Sequence, residues 1–372
     1  MFAVLLTTAL GAPRIGDGVP ADDLPEVVAF SSPYLTTGVL IHPQVVLTHA
    51  HLFDNDDLST APPGAGARVF LGGDMAQPGT EVPATAVAVY PEYQSIGPSP
   101  NAVSQSDGPA RNDIALVWLA EPVALPVMAL NETPLTSDWR DVTADIAGFG
   151  AFGTNNGGQG IRRVGRTRID ELDDDAVYLF DPDGQFACTS DAGGPVIRYR
   201  GDQPVALGIT WSYGQFPCGV TPSTHGRVDA YVDWIRTTLA PLEIETVALE
   251  LPSLQCTSLP RDPSGQLVLD CEVTVFDGAP IAQVEWSWGD GSTDTTTDAS
   301  NAHAYGASDT FAVAACVTSV HRGREYVACV ETEQLVVPVV EEVEAGGCGC
   351  AHFGGASMGW LLAGFLPLLA RR

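Results

Sequence analysis

Short apolar stretches broken by glycine and proline recur along the first two thirds of the chain. They are rich in β-branched residues, which favour strands, and the residues between them favour turns. One later segment differs, because its apolar side chains recur at helical spacing: Tyr231, Val232, Ile235 and Leu239. The pattern predicts an antiparallel β-rich module that ends in one helix, with strands at 82–89, 123–128, 142–147 and 205–211.

From about Thr246 to Val339 short strands follow at even spacing, which indicates a second strand-rich module. An apolar tract also lies near each end of the chain. The run from Phe2 to Leu10 precedes small residues, as in a signal peptide, but no Lys or Arg comes before it. The tract from Met358 to Ala370 is shorter than the ~20 residues that cross a bilayer comfortably, although counted from Phe353 it nearly suffices.

Three motifs in the first module carry candidate chemistry. They read VVLTHAH at 45–51, NDIAL at 112–116 and CTSDAGGP at 188–195. Taken singly, a histidine at a strand end or an aspartate before an apolar run is more often a turn or core residue. In this order and spacing, and followed by WSYG at 211–214, they resemble the trypsin/chymotrypsin family of serine proteases.

The resemblance implies a chymotrypsin-like double antiparallel β-barrel over residues 15–242. His51 is then the general base, Asp113 accepts its hydrogen bond and fixes its tautomer, and Ala192 stands at the position of the nucleophilic serine. His49 replaces a small alanine of the family motif. An alanine methyl has no lone pair and no proton to give up, so no base can activate it. The resemblance therefore predicts a protease homologue that is inactive as written.

A second departure lies in the oxyanion loop, which the resemblance assigns to Ser190, Asp191 and Ala192. Ser190 replaces a glycine whose backbone N–H holds the developing negative charge. A side chain there disfavours the backbone conformation that the loop requires, so we predict an impaired oxyanion hole. The Ser190 hydroxyl lies two residues from the nucleophile position and is not expected to reach His51.

The resemblance also locates a specificity pocket, with Phe186 at its base. A phenylalanine there fills the pocket or restricts it to small apolar groups, and no carboxylate is present to bind an Arg or Lys side chain. The alternative, in which Phe186 belongs to the barrel core, predicts the same blockage. The predicted pocket residues are Phe186, Trp211, Ser212 and Ser223, and the family's disulfide behind the pocket corresponds to Cys188 and Cys218.

Residues 14–18 (RIGDG) resemble the activation site of the same family. Cleavage after Arg14 would free the amino group of Ile15, which would pair with Asp191, and residues 1–14 would form a signal and pro segment. A buried ammonium–carboxylate pair leaves a costly lone charge when either member is removed. Retention of both members predicts that the folded loop is still built.

Composition limits the class of partner. The chain has 372 residues, enough for about two domains, and carries a formal charge of −29 with no lysine. An acidic surface excludes nucleic acid as a partner, because phosphate binding needs basic residues. The acidic runs 54–57 and 173–175 are either calcium loops or solvated turns, and we favour turns because neither has glycine-punctuated ligand spacing. We therefore predict no metal and no cofactor.

Cysteine usage predicts an oxidising compartment. Four of the eight cysteines fall in the second module, where three pairings are possible and the sequence does not choose among them: Cys256, Cys271, Cys316 and Cys329. Zinc binding is the weaker alternative, because the short spacing of zinc-binding cysteine pairs is missing.

The second module, at 246–339, contains VEWSWGDGS at 284–292, then HAY at 303–305 and TFAV at 310–313. These motifs resemble a PKD domain, which implies an immunoglobulin-like β-sandwich. Such modules bind polysaccharide or protein, or act as spacers, and the fold alone does not decide between these roles. The spacer role is the safer expectation.

Residues 340–372 form an acidic stalk and an apolar end. The GGCGC run at 346–350, the apolar tract and the closing arginines resemble the C-terminal sorting tail of myxobacterial surface proteins. Cys348, with Cys350 beside it, would be the processing and attachment residue. A plain membrane anchor is the alternative, and both predict a secreted or cell-surface protein, anchored at the outer membrane, that contacts the membrane only through this tail.

Three functions remain open on the sequence. The first is a secreted or surface protease homologue that has lost hydrolysis and binds peptide or protein in its cleft. The second is an active serine endopeptidase in a form that carries serine at position 192. The third is an adhesion or scaffold protein that binds through the PKD-like module. The fold class is all-β in each case.

Overall fold

The first module contains a closed barrel of six antiparallel strands. The computed structural model describes residues 18–53, 66–94, 111–151, 158–214, 218–275, 278 and 280–336. A short strand, β1 (Val19–Pro20), precedes the barrel, whose strands are β2 (Val27–Ser32), β3 (Thr36–His42), β4 (Val45–Thr48), β5 (Arg68–Phe70), β6 (Glu81–Val89) and β7 (Ala115–Leu119). They pair in the order β2-β3-β4-β7-β6-β5. β4 is buried along its length, whereas β6 begins with alternating exposed and buried positions, as expected of a strand with one solvated face.

A second closed barrel follows. Its strands pair in the cycle β9-β10-β11-β14-β13-β12, and β12 pairs with β9 to close it. Strands β8 and β15 extend the sheet beside β13 with parallel pairing. The bounds are β8 (Ala129–Asn131), β9 (Thr143–Gly148), β10 (Arg163–Leu172), β11 (Ala176–Leu179), β12 (Pro195–Arg200), β13 (Gln203–Ser212), β14 (Ser223–Arg227) and β15 (Thr246–Val247).

One helix, α1 (Val228–Leu239), packs against both barrels. Its apolar stripe is buried in a core that both barrels share, with Leu47 and Ile114 from the first and Ile197 from the second. Tyr231 on this helix also donates its hydroxyl hydrogen to Asn112 Oδ1 at 2.9 Å, directly beside Asp113. The helix therefore stabilises the loop that carries a predicted site residue. Within the part of the chain described, no helix is long and apolar enough to span a membrane.

The third body is a sandwich of two antiparallel sheets. One has the order β16-β17-β20 and the other β19-β18-β21-β22, and the indoles of Trp286 and Trp288 stack in the core between them. The bounds are β16 (Ser253–Leu259), β17 (Leu267–Thr274), β18 (Ile281–Ser287), β19 (Thr293–Thr296), β20 (Ser300–Tyr305), β21 (Asp309–His321) and β22 (Arg324–Val336). Two disulfides each join directly opposed residues of neighbouring strands, Cys256–Cys271 and Cys316–Cys329.

The long β21–β22 hairpin of the sandwich contacts the second barrel. Tyr326 is buried there and donates its hydroxyl hydrogen to Asp145 Oδ2 at 2.5 Å. Arg324 pairs with Asp23 Oδ1 at 2.8 Å, in the segment that leads from β1 into the first barrel. The His321 Nδ1 atom lies 2.6 Å from the carbonyl oxygen of Gly201. The sandwich is thus packed on the barrels by buried polar and aromatic contacts.

Most sequence expectations for the fold agree with the structure. The all-β prediction with a double barrel and a sandwich is confirmed, and the predicted helix is present with its four predicted apolar side chains buried. The strand predicted at 123–128 is wrong: Pro122 and Pro126 lack a backbone N–H, and regular pairing begins only at Ala129. The predicted sandwich boundary at Thr246 is also displaced, because Thr246–Val247 pairs with a barrel strand and the sandwich starts at Ser253.

Candidate active site

His51 and Asp113 form the centre of the site. His51 lies in a 3-10 turn at the end of β4, and Asp113 lies just before β7, the strand that pairs with β4. The His51 Nδ1–Asp113 Oδ2 distance is 2.5 Å, and Asp113 Oδ1 accepts the backbone N–H groups of Ala50 (2.7 Å) and His51 (2.8 Å). Burial alone would raise the pKa of Asp113, but the adjacent His51 outweighs it and holds the pKa below its usual range. The aspartate is therefore ionised and fixes the ring.

His49 has an environment that the sequence did not predict. Its Nε2 atom lies 2.8 Å from the Thr36 hydroxyl, and that hydroxyl donates to the carbonyl oxygen of Ala192 at 2.7 Å. Because Thr36 has one hydroxyl hydrogen to give, it must accept from His49, so His49 carries its proton on Nε2. Burial, and then the neighbouring His51, lower the pKa of His49 well below its usual value. His49 is a neutral residue that supports the loop at 188–195, called the nucleophile loop from here on because it carries Ala192.

His49, His51 and Asp113 place one possible ligand atom each within 4.8 Å of one another, which raises the question of a metal ion. The two imidazole ring centroids are 3.8 Å apart, with the rings tilted at 44°. Two imidazoles that bind one ion through nitrogens at ~2.1 Å would have centroids roughly 5 Å apart. The rings stack too closely to share an ion, so this arrangement does not fit a metal.

The nucleophile loop is held by the start of β3. Thr37 donates its backbone N–H to the carbonyl of Ala192 (3.0 Å) and its hydroxyl hydrogen to the carbonyl of Ser190 (3.0 Å). Ser190 has φ of 74°, in the left-handed region. The side chain was expected to disfavour this conformation, and the loop adopts it nevertheless. Non-glycine residues in this region cost of order 1 kcal/mol or more, so the surrounding hydrogen bonds must hold the loop in place.

Asp191 is buried beside the loops that contain Gly150 and Cys188. Its two carboxylate oxygens accept the backbone N–H groups of Gly150 and Cys188, each at 2.8 Å. Burial nevertheless raises the pKa of Asp191 to about 7, because two hydrogen bonds do not replace the water that a carboxylate loses. The predicted partner of this carboxylate, the Ile15 amino group, lies outside the described residues.

The predicted specificity pocket is closed at its base. Phe186 is 2% exposed, and a Cβ added to Gly219, which has φ of 82°, would come within 2.4 Å of its ring. Trp211 is also buried and packs in the shared core, whereas Ser212 is half-buried. The disulfide expected between Cys188 and Cys218 is present.

One wall of the pocket contains a second buried histidine that the sequence did not indicate. Thr210 donates its hydroxyl hydrogen to Gly194 O (3.0 Å) and lies 3.0 Å from His225 Nδ1, so His225 carries its proton on Nδ1. The Ser223 hydroxyl must then donate to His225 Nε2, at 2.8 Å. Burial lowers the pKa of His225 to about 3. The Ser223 hydrogen is thereby turned toward the core.

The remaining predicted residues divide into two groups. In the acidic turn at 173–175, Asp173 accepts the backbone N–H groups of Asp175 and Ala176, and Asp175 pairs with Arg111 at 2.7 Å. These contacts are those of a turn whose carboxylates are paired within the protein, as expected of the turn alternative. The predicted attachment cysteines, Cys348 and Cys350, lie outside the described residues, as do the leader, the acidic run at 54–57 and the tail.

Two six-strand antiparallel barrels, a histidine held by a buried aspartate and a pinned nucleophile loop define the class of chymotrypsin-like serine proteases. The family model for trypsin matches residues 16–235. The chain belongs to the trypsin family.

Three curated relatives share this domain. The chain is 27% identical over 243 residues to the CLIP domain-containing serine protease HP8 of Bombyx mori, which covers 54% of this chain and 61% of that protein. It is 30% identical over 148 residues to kallikrein-11 of Homo sapiens (35% and 50%), and 29% identical over 172 residues to the Spaetzle-processing enzyme of Drosophila melanogaster (38% and 40%). The chain thus matches between two fifths and about three fifths of the length of these relatives.

Proposed function

We propose that this chain is a secreted or surface-anchored serine endopeptidase homologue. With alanine at position 192 it does not hydrolyse peptides, and it uses its cleft to bind peptide or protein. One arrangement carries the proposal: the His51–Asp113 pair is intact and the loop around Ala192 is held by hydrogen bonds, but residue 192 offers only a methyl group. Acyl transfer of this type needs an oxygen or sulfur nucleophile, and the methyl offers none. The hydrogen bonds that hold the loop still keep the cleft in a shape that can bind a ligand.

Hydrolysis of a mixed peptide library tests the proposal. The chain as written is compared with Ala192→Ser, and with an Ala192→Ser/His51→Ala double variant, at matched concentrations. Loss of a serine nucleophile costs about a millionfold in turnover, so we expect cleavage only by the single variant. Cleavage by the chain as written that survives removal of contaminants would refute inactivity.

The second candidate is an active endopeptidase in a form that carries serine at position 192. It is favoured by the survival of His51, Asp113 and Asp191, each with its hydrogen bonds in place. The three relatives named above include two that are described as proteases or processing enzymes. Full activity of Ala192→Ser would support this candidate, whereas an inert Ala192→Ser variant would leave binding as the function.

Adhesion through the sandwich, toward polysaccharide or protein, is a third and weaker candidate. The hairpin that includes Tyr326 and Arg324 is engaged with the barrels and is not available to a partner.

For localisation we propose attachment through Cys348. Cells that express the chain or its Cys348→Ser variant are fractionated, and we expect the substitution to move the protein from the membrane fraction to the medium. The same distribution for both proteins would contradict the attachment.

A further inference from the structure

The loop around Ala192 carries two backbone N–H donors without acceptors. Among the described residues, neither the Ser190 nor the Ala192 N–H has a hydrogen-bond partner, although the carbonyls of the same peptide units, those of Thr189 and Asp191, are bonded. Both residues are half-buried and reachable from solvent. Unpaired donors at such a place form a concave site for negative charge.

The direction of these two N–H groups is fixed by hydrogen bonds to the carbonyls in the same peptide planes. The Thr189 carbonyl, which shares a peptide plane with the Ser190 N–H, accepts the Ala151 N–H at 2.8 Å. The Asp191 carbonyl, which shares a plane with the Ala192 N–H, accepts the Gly194 N–H at 2.9 Å, so neither plane can turn freely. Gly193 packs so closely that a Cβ there would lie 2.0 Å from the Thr37 carbonyl oxygen. A site whose dipoles are already oriented binds charge without first reorganising.

With alanine instead of serine at position 192, a different kind of anion can bind at this site. With serine present, the donors would stabilise the oxyanion that forms after attack on a peptide carbonyl. With the Ala192 methyl no attack occurs, and both residues that carry the donors stay partly exposed to solvent. A carboxylate offers the same acceptor in its ground state, and the Ser190 hydroxyl is a further donor on the same loop.

We infer that the cleft binds peptides through a free C-terminal carboxylate that accepts the Ser190 and Ala192 N–H groups. The inference rests on the proposed peptide-binding function and adds the class of ligand. The final residue should be small and apolar, because Phe186 fills the pocket base. The ligand is therefore a finished cleavage product rather than an internal stretch of chain.

The full chain is tested with a fluorescent hexapeptide library that ends in alanine, made once with a free carboxylate and once with a C-terminal amide. Binding is followed by fluorescence polarisation. We expect the free acid to bind at least tenfold more tightly, since charged hydrogen bonds are about twice as strong as neutral ones. The formal charge of −29 acts against this preference, so general electrostatics cannot produce it.

Two variants locate the preference. Ala192→Leu places its larger side chain in the carboxylate space and should abolish the preference, with an unchanged melting temperature as the check on folding. Ser190→Gly keeps the N–H and should retain the preference within a few-fold. Selective ¹⁵N labelling of serine and alanine should show the Ser190 and Ala192 amides shifting with the acid form only.

The outcomes separate the two ideas. Equal binding of acid and amide would leave peptide binding intact and overturn the carboxylate inference. A preference that survives Ala192→Leu would place the carboxylate elsewhere and overturn it as well. Absence of binding by both forms would remove the proposed function and the inference together.

Discussion

Asp191 should make the stability of the uncut chain fall as the pH rises. Burial raises the pKa of its carboxyl to about 7 in the folded protein, against 3.8 for the free side chain. Between these two pH values the folded state keeps a proton that the unfolded state has released, so stability is lost with rising pH. The difference of 7 − 3.8 ≈ 3 pKa units corresponds to about 4 kcal/mol at ~1.4 kcal/mol per unit.

Urea unfolding at pH 4, 6 and 8 measures this effect as a difference between the parent and Asp191→Asn. The difference removes other groups whose pKa is shifted, such as Asp145 and Glu26, where burial also raises the pKa. The asparagine loses one accepted N–H, but that cost does not depend on pH. We expect the stability of the parent relative to Asp191→Asn to drop by about 4 kcal/mol from pH 4 to pH 8.

A chain that begins at Ile15 provides the matched comparison. If its amino group reaches Asp191, the pair lowers the pKa of the carboxyl, and the decline in stability with pH should shrink or reverse. A parent-to-variant difference that stays constant within about 1 kcal/mol from pH 4 to pH 8 would refute the reasoning, because it would mean that burial does not shift this carboxyl.

Two further predictions concern packing. Phe186→Ala should cost about 3–5 kcal/mol in urea unfolding through the cavity that it leaves, and in an Ala192→Ser background it should admit larger side chains before the cleaved bond. An unchanged cleavage pattern in a peptide library would mean that Phe186 does not limit the pocket. Tyr326→Phe removes the hydroxyl that donates to buried Asp145 and should cost about 2 kcal/mol. Wild-type stability of this variant would show that the hairpin is not anchored by that bond.

Features that depend on local pattern were predictable from the sequence. The helix at Val228–Leu239 follows directly from the spacing of its apolar side chains. The pairing of Cys188 with Cys218, and the contact between His51 and Asp113, came from motifs whose residues stand in a known order. Where proline interrupts a β-branched run, as at Pro126, composition suggested a strand and the missing N–H prevented one.

Features that depend on register and long-range packing were not predictable. The pairing of Cys256 with Cys271 follows from their position as direct neighbours across β16 and β17, which no spacing along the chain reveals. The bond between Thr36 and the Ala192 carbonyl joins residues 156 positions apart. The sequence shows His49 only as a replacement of the alanine in the family motif. Its support of the nucleophile loop runs through Thr36 and depends on that distant contact.

The docked hairpin changes how the molecule can be divided. Cut at the boundary that sequence suggests, residues 246–339 would lose the barrel surface that covers Tyr326 and would take Thr246–Val247 out of the barrel sheet. The freed sandwich would present an aromatic ring, Arg322 and Arg324 to solvent, and these could bind acidic or apolar material for reasons unrelated to its role in the whole protein. Ligand screens on the isolated sandwich would therefore report an artificial surface unless the hairpin tip is first made polar.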